Sequence, residues 1–117
     1  MKIKLAILES DSGYLNRVVP MFINRFADEL EIYSFTDVVA ATECLEEKKI
    51  DVFLASNVFK IDFSKIPNRC GFAYLVESLD IVKAAIGKQA IPRCNTVSIT
   101  GEEMQSQLSG YLDALFA

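Results

Sequence analysis

The sequence predicts an α/β domain in which five strands of a parallel sheet alternate with helices. Val52 to Ala55 form an uninterrupted apolar run, which is typical of a central parallel strand covered on both faces. A second such run, Leu5 to Leu8, and capping residues before the helices favour the same class. With 117 residues, 51% of them hydrophobic, the chain can build one compact core. We expect a doubly wound domain with right-handed crossovers.

The first strand and helix are predicted from residues 2–26. Residues 2–8 end in an apolar run, and Asp11 or Ser12 can cap the helix that follows. Pro20 removes a backbone hydrogen bond inside this helix, so we expect the helix to continue with a kink. Apolar spacings of three and four give the helix one buried face, formed by Leu15, Val18, Phe22 and Phe26.

The second strand and helix are predicted from residues 32–49. Ile32 to Phe35 form a short strand, and Thr36 with Asp37 signals a helix from Val38 to about Lys48. The run Glu46 to Lys49 is interpreted as the solvated helix end. Small residues are expected to face the sheet, namely Val39, Ala40, Ala41, Thr42 or Glu43, Cys44 and Leu45.

Three further strands are predicted, at Ile50–Asn57, at Phe72–Val76 and at Ala90–Pro92. Residues 58–69 indicate a loop with at most a short or distorted helix near Asp62 to Ile66. Because proline cannot donate to a sheet ladder, the last strand is expected at an edge.

Two helices are expected in the last third of the chain. A short one runs from about Asp80 to Ile86 and stops at Gly87. The other begins with the capping box Thr100 to Glu103. Its apolar face is predicted to be Met104, Leu108, Tyr111, Leu112 and Leu115.

Composition excludes several classes of function. The formal charge is -4 and the sequence has no dense Lys/Arg cluster, so nucleic acid is not an expected partner. The chain contains no histidine, which removes the usual general base and transition-metal ligand.

Apolar runs fall well short of the roughly 18 residues of a membrane span, so we expect a cytoplasmic protein. Cys44, Cys70 and Cys94 are widely separated and are interpreted as buried free thiols.

Polar residues follow three of the predicted strands. Glu9, Ser10 and Asp11 follow the first strand, Ser56 ends the third, and Arg93 follows the fifth. Because ligands of open α/β sheets collect at the carboxyl ends of the strands, we expect Ser56 near the centre of any site.

These residues, in the segments LAILESDSGYL and IDVFLAS, resemble the receiver domain of two-component response regulators, which has the fold of the chemotaxis protein CheY. The resemblance covers nearly the whole chain. It implies a three-layer, CheY-like or flavodoxin-like fold whose five-stranded parallel sheet has the strand order 2-1-3-4-5.

In such receivers two acidic residues bind magnesium, an aspartate accepts a phosphoryl group, and a hydroxyl residue and a lysine complete the site. Here Glu9 matches the first acidic position, but Ser10 takes the second and Ser56 the acceptor. Glu77 or Ser78 falls near the hydroxyl position, and Arg93 replaces the lysine. The resemblance thus implies a degenerate pocket of Glu9, Ser10, Asp11, Ser56, Ser78 and Arg93, with no catalytic residue, metal or cofactor.

The chemistry agrees with a loss of phosphotransfer. An acyl phosphate cannot form on Ser56, and a serine hydroxyl needs a base that is not in evidence. We therefore interpret Glu9, Asp11 and Arg93 as a helix cap with an ion pair or hydrogen-bonded cluster that orders the loops.

A narrower likeness concerns Ile86 to Asn95, IGKQAIPRCN, and Leu75 to Ser78, LVES. These segments are similar to atypical receivers that precede MinD/ParA-like ATPase domains in the TadZ/CpaE proteins of bacterial Tad pilus assembly. The resemblance implies that residues 1–117 are a single receiver-like domain and the N-terminal module of a longer protein. No GxxxxGK[ST] motif of an ATPase occurs in the sequence.

Three functions follow from these observations. The first is a phosphorylation-independent, non-enzymatic module for protein interaction, dimerisation or localisation, which pairs through the last helix and the strand-five edge or regulates an attached ATPase domain. The second is a receiver with a non-standard phosphoacceptor such as Asp11 or Asp62. The third is a small flavodoxin-like binder that holds a phosphate or cofactor at Ser10 to Gly13.

Overall fold

A computed structural model describes residues 2–26, 29–76, 90–93 and 101–116. Within these residues five strands form one sheet: β1 (Ile3–Leu8), β2 (Leu30–Phe35), β3 (Val52–Ser56), β4 (Gly71–Val76) and β5 (Ala90–Pro92). The strand order is β2-β1-β3-β4-β5, and the recorded pairs are parallel. The predicted α/β class and strand order are confirmed. The chain divides into two compact units, residues 1–72 and 73–117. That it acts as one domain stays a prediction.

Strand β1 lies between β2 and β3 in the first unit. Its last four residues, Leu5 to Leu8, have no exposed surface, and all of β3 is buried. Leu8 pairs with Phe35 on one side and with Ala55 on the other. The three strands therefore end at the same level of the sheet, and the residues that follow them start from neighbouring positions.

Helix α1 (Ser12–Phe26) follows β1 and runs through Pro20 without ending. The Asp11 side chain accepts the backbone N–H of Tyr14 at 3.1 Å, so Asp11 is the predicted cap. The kink at Pro20 stays a prediction. The predicted buried face is confirmed by Leu15, Val18, Phe22 and Phe26, and Tyr14 is buried with them.

Helix α2 (Val38–Glu47) is capped by Asp37, whose side chain accepts the backbone N–H of Ala40 at 3.0 Å. Its buried residues are Ala41, Cys44 and Leu45. The prediction that Val39 and Ala40 also face the sheet is wrong, because both are exposed, Val39 by 58%. At about 100° per residue, a buried face centred on Ala41, Cys44 and Leu45 leaves Val39 on the opposite side of the helix.

Helix α2 ends in a Schellman motif. The N–H of Ile50 donates to the carbonyl of Leu45 at 3.0 Å, and the N–H of Lys49 donates to that of Glu46 at 3.3 Å. Lys49 has a φ of 54°, in the left-handed region that favours glycine. The predicted solvated run from Glu46 to Lys49 is exposed throughout.

The connection from β3 to β4, residues 57–70, is described in full and contains one 3-10 helix, Phe63–Lys65. This confirms the predicted loop with a short helix. Asp62 caps it by accepting the Ser64 backbone N–H at 3.1 Å and the Ser64 hydroxyl at 2.6 Å. These two hydrogen bonds, the hydroxyl first, lower the pKa of Asp62 below its ordinary value.

In the second unit β4 pairs with β5, and the paired residues run from Tyr74 and Ala90 to Val76 and Pro92. Strand β5 lies at the edge of the sheet, as predicted. Helix α3 (Gly101–Phe116) packs against β5. Met104, Leu108 and Leu112 are buried as predicted, and Tyr111 is half-buried. The predicted helix at 80–86 and the Thr100 cap lie outside the described residues. No helix among the described residues is long and apolar enough to cross a membrane.

Candidate functional site

The turn after β1 is built around a buried carboxylate. Glu9 is 1% exposed, and its backbone N–H donates to the carbonyl of Phe35 at 3.0 Å. Its Oε2 atom accepts the backbone N–H of Asp11 at 3.0 Å and the hydroxyl of Ser10 at 3.4 Å. Glu9 thus fixes the path of the chain from the strand into α1.

The Asp11 carboxylate is engaged by the start of α1. Its Oδ1 atom accepts the Tyr14 N–H, and a side chain added at Gly13 would place its Cβ 3.2 Å from that oxygen. Glycine therefore leaves room for the cap. In this arrangement Asp11 serves as a structural acceptor of the helix terminus, as the sequence interpretation expected.

Ser56 is 2% exposed and closes a turn with its own backbone neighbours. Its Oγ atom accepts the Val58 N–H at 3.5 Å, and its carbonyl accepts the Phe59 N–H at 3.2 Å. Leu8 and Ala55 are the last paired residues of β1 and β3. Glu9 directly follows Leu8, and Ser56 directly follows Ala55, so the two residues start from neighbouring positions on adjacent strands. Such strands are about 4.8 Å apart.

The first unit therefore brings together four of the six predicted site residues, Glu9, Ser10, Asp11 and Ser56. Ser78 lies outside the described residues. Arg93 belongs to the second unit, where it is half-buried and its backbone N–H donates to the carbonyl of Val76 at 2.9 Å. That Arg93 and Ser78 share a pocket with the other four stays a prediction.

The described part of the chain contains no group of three or more His, Cys, Asp and Glu side chains that could hold a metal ion. Glu9 and Asp11 are the acidic residues of the turn after β1, and both carboxylates accept backbone N–H groups. A hard cation prefers several charged oxygen ligands, so these hydrogen bonds compete with metal binding.

The two described thiols have environments that suppress their reactivity. Cys70 is 8% exposed and donates to the carbonyl of Gly71 at 3.4 Å. Burial raises the pKa of Cys70 to about 11, and burial also raises the pKa of Cys44. Both agree with the predicted buried free thiols, and Cys94 lies outside the described residues.

The sequence interpretation missed a groove between α2 and the 3-10 helix, which we call the α2 groove. It has a volume of about 380 Å³. The groove residues of α2 recur at spacings of three and four, which places them on one face of the helix, and the sequence contained this signal. Its lining residues are Val39, Thr42, Glu43 and Glu46 from α2, and Ser64 and Lys65 from the 3-10 helix.

The family model for the TadZ-like receiver domain matches residues 1–109. The chain belongs to the TadZ-like receiver domain family. Receivers of this type are generally non-catalytic, and the observed strand order is that of the receiver fold. No curated protein matches the chain. Ser56 is buried in this TadZ-like receiver domain, and its assignment to the acceptor position stays a prediction.

Proposed function

We propose that this TadZ-like receiver domain is a phosphorylation-independent module for protein interaction, dimerisation or localisation, without enzymatic activity. One observation carries the proposal. Ser56, which the receiver resemblance assigns to the acceptor position, is 2% exposed and accepts the N–H of Val58 through its hydroxyl. A serine cannot form an acyl phosphate, and a buried hydroxyl engaged in its own turn is poorly placed to attack phosphorus.

The partners proposed for the module are a second copy and an attached MinD/ParA-like ATPase domain of a longer, cytoplasmic protein that takes part in pilus assembly. Membership of the TadZ-like family supports this choice. The proposed pairing surface is α3 with the β5 edge. Among the described side chains of α3, Gln107 and Asp113 are exposed, and Gln105 and Ser109 are half-buried.

A receiver with a non-standard acceptor is the less favoured function. Asp11 is engaged by the Tyr14 N–H, and Asp62 by both the backbone N–H and the hydroxyl of Ser64. In each case the Oδ1 atom holds the carboxylate against the turn that follows it. The hydrogen-bonded aspartates therefore favour structural roles.

A flavodoxin-like phosphate site at Ser10 to Gly13 is also less favoured. A phosphate at a helix N-terminus uses open backbone N–H groups. Here the N–H groups of Asp11 and Tyr14 donate to the carboxylates of Glu9 and Asp11. Two acidic side chains thus occupy two of these donors, and their charges repel an anion.

The proposal is tested by incubating the chain with magnesium and acetyl phosphate, or with magnesium and beryllofluoride, beside a phosphorylatable receiver as the positive control. We expect an unchanged intact mass and an unchanged amide spectrum.

Analytical ultracentrifugation then measures self-association, and titration with the downstream domain of the native protein measures binding. Phosphorylation, or a strict monomer that does not bind that domain, contradicts the proposal.

A further inference from the structure

The α2 groove lies between the exposed face of α2 and the connection from β3 to β4. A crossover between parallel strands usually carries a helix that covers the sheet. Residues 57–70 provide only the 3-10 helix Phe63–Lys65. Phe63, the first residue of this 3-10 helix, packs edge-on against Phe72 of β4 at 5.3 Å, and Phe72 packs against Phe53 of β3 at 5.6 Å. The groove lies on the exposed face of α2, opposite the buried residues Ala41, Cys44 and Leu45.

One exposed apolar side chain lines this groove, and a second belongs to the residue next to its lining in the chain. Val39, on the α2 wall, is 58% exposed. Phe63, next to the wall residue Ser64 in the chain, is 41% exposed although its ring packs on Phe72. These two residues are among the four large hydrophobic residues recorded as exposed in the described part of the chain. A partner that covers them gains burial of apolar surface.

The charged residues of the groove determine which charges a partner needs for a complementary surface. Glu43 and Glu46 are exposed on the α2 wall, and Lys65 is the one cation among the lining residues. Glu43 and Glu46 follow Val39 by four and seven residues, which places them about 6 and 10 Å further along the helix axis. The wall therefore offers an apolar contact followed by two negative charges.

We propose that the α2 groove binds an amphipathic helix of a partner protein, which places an apolar side chain beside Val39 and basic side chains against Glu43 and Glu46. On a partner helix that runs parallel to α2, basic side chains four and seven residues after the apolar one lie level with the two glutamates, because both helices rise about 1.5 Å per residue. This inference rests on the proposed interaction function and gives it a surface other than α3.

The last helix of a second copy does not fit this groove. Helix α3 contains Glu102 and Glu103 in its first turn and has no Lys or Arg. The whole chain also has a formal charge of -4. Charge complementarity therefore favours a basic helix from another protein over pairing with α3.

The test is a titration of the isotope-labelled chain with a synthetic amphipathic helix that has one Leu and Lys residues four and seven positions after it. The amide signals of residues 39–46 and 63–65 are expected to shift. A matched peptide with Glu in place of Lys is expected to bind weakly or not at all. Raised salt is expected to weaken binding of the Lys peptide, because the charges are exposed.

Charge reversals locate the binding face. Glu46→Lys is expected to weaken binding about fivefold or more, the scale of one or two exposed ion pairs. The matched control is Glu47→Lys, which makes the same charge change at the next exposed residue, outside the groove lining. It is expected to change affinity by less than about twofold. The dispersion of the amide spectrum confirms that both variants are folded.

Three results overturn the inference: no binding of the Lys peptide at millimolar concentration, equal binding of the Glu peptide, or equal loss of affinity in Glu46→Lys and Glu47→Lys.

The same two variants are then tested for the native self-association and for binding to the downstream domain. If those interactions exist while the peptide fails to bind the groove, the groove inference falls and the proposed function stands. If neither interaction exists, the proposed function itself fails.

Discussion

The Oε2 atom of Glu9 accepts the backbone N–H of Asp11 at 3.0 Å, and the carboxylate of Asp11 in turn accepts the N–H of Tyr14. Two acidic side chains thus form consecutive hydrogen-bonded links from β1 into α1. Glu9, which the receiver resemblance assigns to a magnesium-binding position, and Asp11 here hold the backbone of a turn.

Replacing Asp11 by Ala is expected to destabilise the fold by about 1 kcal/mol, because the helix loses its N-terminal acceptor. Asp11→Asn is expected to retain most of that stability, since an amide oxygen can still cap. Urea denaturation measures both. Ser10→Ala serves as the control, because the exposed Ser10 makes only a 3.4 Å contact to Glu9. Equal stability of Asp11→Ala and the native chain would show that the cap contributes nothing.

Ser56→Asp alone is expected to leave the chain unphosphorylated. The new carboxylate replaces a side chain that is 2% exposed, and Ser10 still leaves the pocket short of charge for magnesium. Intact mass after incubation with acetyl phosphate and magnesium measures the outcome. Strong magnesium-dependent labelling of this single variant would show a pocket more complete than we propose.

Lys49→Gly is expected to stabilise the chain by about 1 kcal/mol, because the side chain at a φ of 54° is strained and glycine is not. Lys48→Gly is the matched control. It removes the same charge at a residue with a φ of -99°, so it brings no such gain. Thermal or urea unfolding compares the two. A gain of the same size in both variants would attribute the effect to charge.

Stability is expected to fall between pH 9 and pH 11 because of Cys70. Its pKa rises from 9.0 to about 11 on folding, so the folded state retains the thiol proton that the unfolded state loses in this range. The contribution is complete below pH 9 and is lost as the pH rises toward 11. Urea denaturation of the native chain and Cys70→Ala across this range measures it. An identical pH slope in both proteins would refute the assignment to Cys70.

Most of the fold was predictable because its signals are local. The apolar runs Leu5–Leu8 and Val52–Ala55 became buried strands, and Asp11, Asp37 and Asp62 cap the helices that follow them. The buried face of α2 was predicted wrongly at Val39 and Ala40. Small and β-branched residues occur on every side of that helix, so hydrophobicity alone could not fix its rotation.

The candidate site was predictable in its residues and not in its contacts. The position of Ser56 at a strand end followed from the apolar run before it. Its hydrogen bond to the Val58 N–H depends on turn geometry that Ser56 and Asn57 alone do not specify. The α2 groove combines α2 with Ser64 and Lys65, about twenty residues away along the chain, and a long-range juxtaposition of this kind has no local signal.

Pro92 limits the addition of a further strand to the β5 edge of the sheet. The N–H of Arg93 donates inward to Val76, and alternate residues of a strand donate to opposite sides, so the nitrogen of Pro92 points to the outer side of β5. Proline has no hydrogen to donate there. An additional strand from another molecule would meet a gap in its ladder, which protects this edge against strand-by-strand aggregation. Association at β5 must therefore depend on side chains and on α3.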